Sequence, residues 1–87
     1  MYAVFIEKEA QKFLESLVLK ISKTVKNKCL VLQENPRPSG VKKIAGASDL
    51  YRIRSGNYRI IYFVDDRNKI IKITHIRLKG KRTYKGL

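Results

Sequence analysis

Gly56-Asn57 lies between two runs of β-forming residues, Asp49 to Arg54 and Tyr58 to Val64, and this dipeptide constrains the fold more than any other feature of the chain. Glycine reaches the positive φ that a two-residue type II′ or I′ turn demands, so the two runs read as a tight hairpin. Such a turn fixes the register. Arg54 then faces Arg59, Ile53 faces Ile60, Arg52 faces Ile61 and Tyr51 faces Tyr62. Strand side chains alternate between faces. Tyr51, Ile53, Ile60 and Tyr62 therefore share the side expected to form the core, and Arg52, Arg54 and Arg59 share the other. Two arginines directly opposed repel, and that cost is explained if an anion normally sits between them. Guanidinium groups suit phosphate oxygens, so three on one face make a phosphate cradle. Two alternatives stay open from the residues alone. The arginines can point into water or pair with Asp49, Asp65 or Asp66, and a three-residue loop would shift the register.

The rest of the chain builds around this hairpin. Tyr2 to Ile6 is a short β-forming run. The apolar period then changes to three and four at Ala10, Phe13, Leu14, Leu17, Ile21, Val25, Cys29 and Leu32, the stripe of an amphipathic helix. An unbroken helix of this length would extend about 40 Å, against a gyration radius of about 12 Å for a domain of this size. A bend at Leu17-Val18-Leu19, giving a helical hairpin, is therefore expected. Asn35-Pro36-Arg37-Pro38-Ser39-Gly40 ends the helical region, because proline lacks the amide proton and clashes with the preceding turn. Lys69 to Leu78 is a third strand of the meander, after Asp65-Asp66-Arg67-Asn68. The expected fold is α+β: a small antiparallel-dominated sheet, made of the N-terminal strand plus a three-strand meander, packed against an N-terminal helical hairpin.

At 87 residues the chain has material for one hydrophobic core, so residues 1–87 read as a single domain. One cysteine, Cys29, cannot form an intrachain disulfide, and one histidine, His75, leaves no Cys/His set for a structural zinc. No cofactor is expected. The apolar run at the start is too short for a signal-peptide core or a membrane span, and a cytoplasmic protein is expected.

Charge supplies the functional clue. Twenty Lys and Arg against seven Asp and Glu give +13. Residues 1–40 hold seven basic and four acidic residues, a net +3, and residues 41–87 hold thirteen and three, a net +10. A field of that size draws phosphate polyanions, which favours nucleic acid as the partner over an anionic membrane, since no amphipathic basic helix accompanies it. The tail from His75 through Arg77, Lys79, Lys81, Arg82, Tyr84 and Lys85 is equally basic and includes one phenol. A last strand beside the hairpin would bring it near the arginine face, where Tyr84 can stack on a base or trade a proton. His75 alternates with Ile73 and Arg77 and reads as a packed strand residue rather than a catalytic base.

Over nearly its whole length the sequence resembles the RelE/ParE superfamily of toxins from toxin–antitoxin pairs. The resemblance is carried by Glu34-Asn35-Pro36 after the helices, Lys42-Lys43-Ile44 with Gly46, and above all the block from Tyr51 to Tyr62. For the RelE branch it implies cleavage of messenger RNA in the ribosomal decoding site without a metal. The ribose 2′-hydroxyl attacks the adjacent phosphodiester, giving a 2′,3′-cyclic phosphate and a 5′-hydroxyl end. It also implies a cognate antitoxin, with the ribosome and mRNA as further partners. Arg52 and Arg54 match two basic positions on the first hairpin strand, and Arg59 matches the arginine that stabilises the phosphorane. Lys79 or Arg82 matches a basic residue near the leaving oxygen, and Tyr84 matches the tyrosine that positions the nucleotide. Lys42, Lys43, Arg77 and Lys81 are expected to contact RNA around this centre.

The sequence departs from the pattern in two places. Arg52 and Arg54 stand where active members often have lysine, one of which is commonly assigned a proton-accepting role that arginine cannot take. Either His75, Tyr84 or a lysine then serves as the base, or the reaction runs on electrostatic stabilisation and nucleotide orientation. Counting along the last strand also places Lys79 where arginine is usual and Tyr84 one residue late. ParE relatives share the hairpin block and poison DNA gyrase, so a gyrase inhibitor without nuclease activity is the alternative, and a nucleic-acid-binding relative without turnover is a third.

Overall fold

The computed structural model describes residues 1–80 of the chain. In chain order it contains β1 (Ala3–Ile6), α1 (Lys8–Glu15), α2 (Leu19–Val31), β2 (Lys42–Lys43), β3 (Leu50–Ser55), β4 (Tyr58–Asp65) and β5 (Ile70–Leu78). The helical region breaks where the size argument requires. Ser16 closes α1, its hydroxyl donating to the Phe13 carbonyl at 2.6 Å, and Val18 opens α2 in extended geometry. A single rod would not fit a body of 35 × 27 × 25 Å.

The five strands form one sheet in the order β1-β5-β4-β3-β2. All neighbours are antiparallel except β1, which lies parallel to β5. β1 covers only Ile70–Ile73. Beyond Ile6 the chain turns into α1, which packs along the remainder of β5. At the opposite edge β2 is a two-residue strand, with Lys42 facing Arg52 and Lys43 facing Tyr51. The sequence reading does not anticipate β2, because two lysines carry no β signal. Lysines on an edge do discourage pairing with another chain.

Both helices lie on one face of the sheet. Ala10 and Leu14 of α1, and Val25, Cys29 and Leu32 of α2 and its cap, close over Ile53, Ile60, Tyr62, Val64, Ile71, Ile73 and Ile76. Burial pushes the Cys29 thiol up to about 12, so it remains protonated as a small apolar filler. In β1 only Val4 and Ile6 pack on the core, and Phe5, on the other face, is largely exposed.

The loop between α2 and β2 is fastened by polar contacts. The Tyr62 hydroxyl donates to the Pro36 carbonyl at 2.7 Å. Arg37 grips Asp66 with both terminal nitrogens, at 3.1 and 2.8 Å, and donates through Nε to the Tyr51 hydroxyl. Tyr2 donates to the same carboxylate at 2.6 Å. The bond from Arg37, reinforced by that from Tyr2, lowers the Asp66 pKa to about 2.

A carboxylate depressed in the folded state adds stability above its unfolded pKa of about 3.9 and loses it as pH falls through the folded value. Urea midpoints should therefore drop between pH 4 and pH 2, and Asp66→Asn should be less stable at pH 7 with a flatter drop over that interval. Gly56 has φ +58 and open space around the position a Cβ would take. Gly56→Ala should consequently cost about 1–3 kcal/mol through backbone strain alone, read as a lowered urea midpoint.

Candidate RNA-binding and catalytic face

The hairpin adopts the two-residue register. Ser55 pairs with Tyr58, Arg54 with Arg59, Ile53 with Ile60, Arg52 with Ile61 and Tyr51 with Tyr62. At the tip Gly56 has positive φ and Asn57 does not, the combination a type II′ turn uses. The face opposite the helices therefore collects Arg52, Arg54 and Arg59, as the alternation requires.

β5 extends this arrangement. Arg77 pairs with Arg59 and His75 pairs with Ile61. Reading across the strands, Arg54, Arg59 and Arg77 form one row next to the turn. Lys42, Arg52, Ile61 and His75 form the next. Paired residues stand about 5 Å apart at Cα, so each row sets like charges side by side.

The environments of the three arginines differ. Arg59 is buried, and its Nη1 donates to the carbonyls of Gly56 and Tyr58, each at 3.2 Å. The turn thus holds this guanidinium in place before any ligand arrives. Arg54 is exposed at the surface. Arg52 is only 8% exposed, and its Nε and Nη1 are buried without a hydrogen-bond partner.

Among the described residues, no carboxylate lies within ion-pair distance of Arg52, Arg54 or Arg59. Asp66 is engaged by Arg37, Asp65 accepts from Asn68 and Asp49 from Ser48. Pairing of the arginines with Asp49, Asp65 or Asp66, left open by the sequence, does not occur. Nor do any three His, Cys, Asp or Glu among the described residues converge as metal ligands.

One expectation along β5 is corrected. Ile61 pairs with His75 while Tyr62 pairs with Ile73, so Thr74 is the extra residue of a β-bulge. Ile73 thus points into the core, and His75 lies on the arginine face with Arg77. The strict alternation of Ile73, His75 and Arg77 is broken. His75 is half-buried, with Nδ1 3.0 Å from the Thr74 hydroxyl and Nε2 3.4 Å from Glu9. Glu9 also approaches Arg77 at 4.0 Å. It reaches both because α1 begins where β1 leaves the edge of β5.

Lys79 remains beside the turn, its backbone N–H donating to the Asn57 carbonyl at 2.7 Å. Lys42 and Lys43 are exposed on β2. Lys81, Arg82 and Tyr84 lie outside the described residues.

Residues 4–82 match the family model described as the ParE toxin of the type II toxin–antitoxin system, parDE. The chain belongs to the RelE/ParE toxin superfamily. It is similar to the RelE–RelB complex of Pyrococcus horikoshii at 35% identity, covering 92% of this chain and 97% of that one, with a TM-score of 0.81. The intact RelBE toxin–antitoxin complex of E. coli is similar at 25% identity over 93% and 100% of the two chains, with a TM-score of 0.77. The antitoxin–toxin complex RelB–RelE of Methanococcus jannaschii is similar at 26% identity over 95% and 98%, with a TM-score of 0.72. No curated protein sequence matches the chain. The solved relatives share the α+β fold of two helices and a mostly antiparallel five-stranded sheet.

The opposed Arg54 and Arg59 of this superfamily member should weaken the free protein. Arg54→Gln is expected to raise stability by up to about 1 kcal/mol in urea titrations at low salt. Added phosphate should narrow the gap between the variant and wild type.

Proposed function

We propose that this chain is the toxin of a toxin–antitoxin pair and an endoribonuclease that cuts messenger RNA on the ribosome in the cytoplasm, held inactive by a cognate antitoxin segment laid over the arginine face. The observation that carries the reading is the convergence of Arg52, Arg54 and Arg59 on one face with no carboxylate of the described chain to neutralise them. The similarity to RelE chains solved with RelB supports it.

In this reading the ribose 2′-oxygen attacks the neighbouring phosphorus. The O2′–P bond forms and the P–O5′ bond breaks, the 2′-hydroxyl proton is given up, and one proton is delivered to the departing 5′-oxygen. Negative charge accumulates on the non-bridging oxygens of the phosphorane. Arg59, held by the turn carbonyls, meets that charge without reorganising, and Arg54 faces it from the adjacent strand. Arg52 holds the backbone. Arg52 and Arg54 cannot accept the 2′-hydroxyl proton, so the arginines accelerate the reaction through charge stabilisation and orientation. By the resemblance, Lys79 or Arg82 is assigned to the leaving oxygen and Tyr84 to the nucleotide, with Lys42, Lys43, Arg77 and Lys81 as RNA contacts around the centre.

The match to the ParE model favours testing gyrase inhibition alongside. Programmed ribosomes incubated with the protein should yield cut message with 5′-hydroxyl ends, while gyrase continues to supercoil. Arg59→Ala should lower cleavage by at least about a hundredfold and leave the fold intact by circular dichroism. Intact message together with failed supercoiling would replace this reading with the gyrase one.

A further inference from the structure

The bulge at Thr74 leaves on the arginine face a proton-transfer group that the arginines themselves do not supply. The proposed cleavage needs one proton at the departing 5′-oxygen, and a guanidinium does not release one. His75 stands on β5 two residues before Arg77, and Arg59 of β4 lies diagonally across, roughly 7 Å away by strand geometry. The Thr74 hydroxyl donates its single hydrogen to the Ile61 carbonyl at 3.2 Å, so its oxygen accepts from His75 Nδ1 at 3.0 Å. Nε2 faces the carboxylate of Glu9, a side chain 70% exposed on α1, at 3.4 Å. Both ring nitrogens thus face acceptors, a pattern completed by a ring that carries a proton on each.

We infer that His75 is the general acid of the cleavage, giving its Nε2 proton to the departing 5′-oxygen. In-line displacement puts the attacking and leaving oxygens on opposite sides of phosphorus. With Arg59 of β4 at the phosphorane, β3 lies on one side and β5 on the other. A leaving oxygen on the β5 side meets His75, and the ribose 2′-oxygen then lies toward β3. As the P–O5′ bond breaks, the Nε2–H bond breaks with it, the proton passes to O5′, and its electron pair stays on Nε2. The ring is left as the neutral Nδ1–H tautomer, the one that Thr74 holds. Water beside the exposed Glu9 returns a proton after the product leaves. Glu9 acts through the ring and is a positioning residue. The assignment rests on the proposed cleavage.

Two arms test the inference. The first compares ordinary message on programmed ribosomes with message carrying sulfur in place of the bridging 5′-oxygen at the cut, because a thiolate departs without being protonated. His75→Gln should cut ordinary message at least about a hundredfold more slowly than wild type and the sulfur-bridged one within about threefold. Equal slowing on both, as loss of a base or of a structural contact gives, would overturn the assignment, as would unimpaired cutting of ordinary message. Should His75→Gln fail to fold by circular dichroism, Glu9→Gln supplies the same contrast, severalfold slower on ordinary message and unchanged on the sulfur-bridged one.

The second arm needs no cleavage. His75 is the single histidine of the chain, so long-range ¹H–¹⁵N spectra of the labelled protein report its ring alone. As pH is raised, the neutral ring should keep its proton on Nδ1 and lose the one on Nε2. A neutral ring protonated on Nε2 would overturn the assignment, since the proton facing the surface would then be the retained one. Wild-type protein that cuts no message would sink the cleavage reading and the acid with it. Cut message with equal losses on the two substrates would sink the acid alone.

Discussion

The two-residue turn at Gly56-Asn57 is the constraint on which the rest of the molecule depends. A strand shifted by one residue exchanges its faces. With the turn as it is, Ile53, Ile60 and Tyr62 lie beneath the helices and the arginines lie opposite. One geometric fact therefore serves both stability and chemistry. The turn also takes a direct part in the site, since its carbonyls at Gly56 and Tyr58 hold the Arg59 guanidinium.

The division of labour between the faces has an electrostatic counterpart. Arg37 and Asp66 satisfy one another at the far end of the hairpin, with Tyr2 and Tyr51 completing the cluster. That pairing ties the loop after α2 to the sheet. The carboxylates of the meander bond Arg37, Asn68 and Ser48, Glu9 meets His75 and Arg77, and among the described residues none lies within ion-pair distance of Arg52, Arg54 or Arg59. Stability is concentrated in the helix-covered core, while the opposite surface carries like charges at close range, an arrangement that costs folding energy and suits polyanion binding.

Much of this is legible in the sequence because it depends on local signals. The glycine turn, the period-two alternation of Tyr51 to Tyr62 and the proline break at Pro36 are each read within a few residues. The bend between α1 and α2 follows from chain length against domain size. What the sequence hides depends on distant partners. Nothing in Lys42-Lys43 announces a strand, since β2 exists only because β3 offers it an edge. The bulge at Thr74, which moves His75 to the arginine face, arises from pairing between β4 and β5. The burial of the Arg52 nitrogens without a hydrogen-bond partner likewise shows only in the folded chain, and the bond between Arg37 and Asp66 spans 29 positions.

The central claim is that the arginine face, and not the remainder of a surface with net charge +13, holds the nucleic-acid backbone. The most direct measurement is the salt dependence of binding to a short uncleavable single-stranded RNA, compared between wild type and a folded variant carrying glutamine at Arg52, Arg54 and Arg59. Released counterions make the slope of log affinity against log salt shallower by about 2 when three phosphate contacts are lost. The account predicts that loss in the variant and little change when Lys20, Lys23 and Lys26 of α2 are replaced instead. An unchanged slope in the arginine variant, with the loss appearing in the α2 variant, would contradict it.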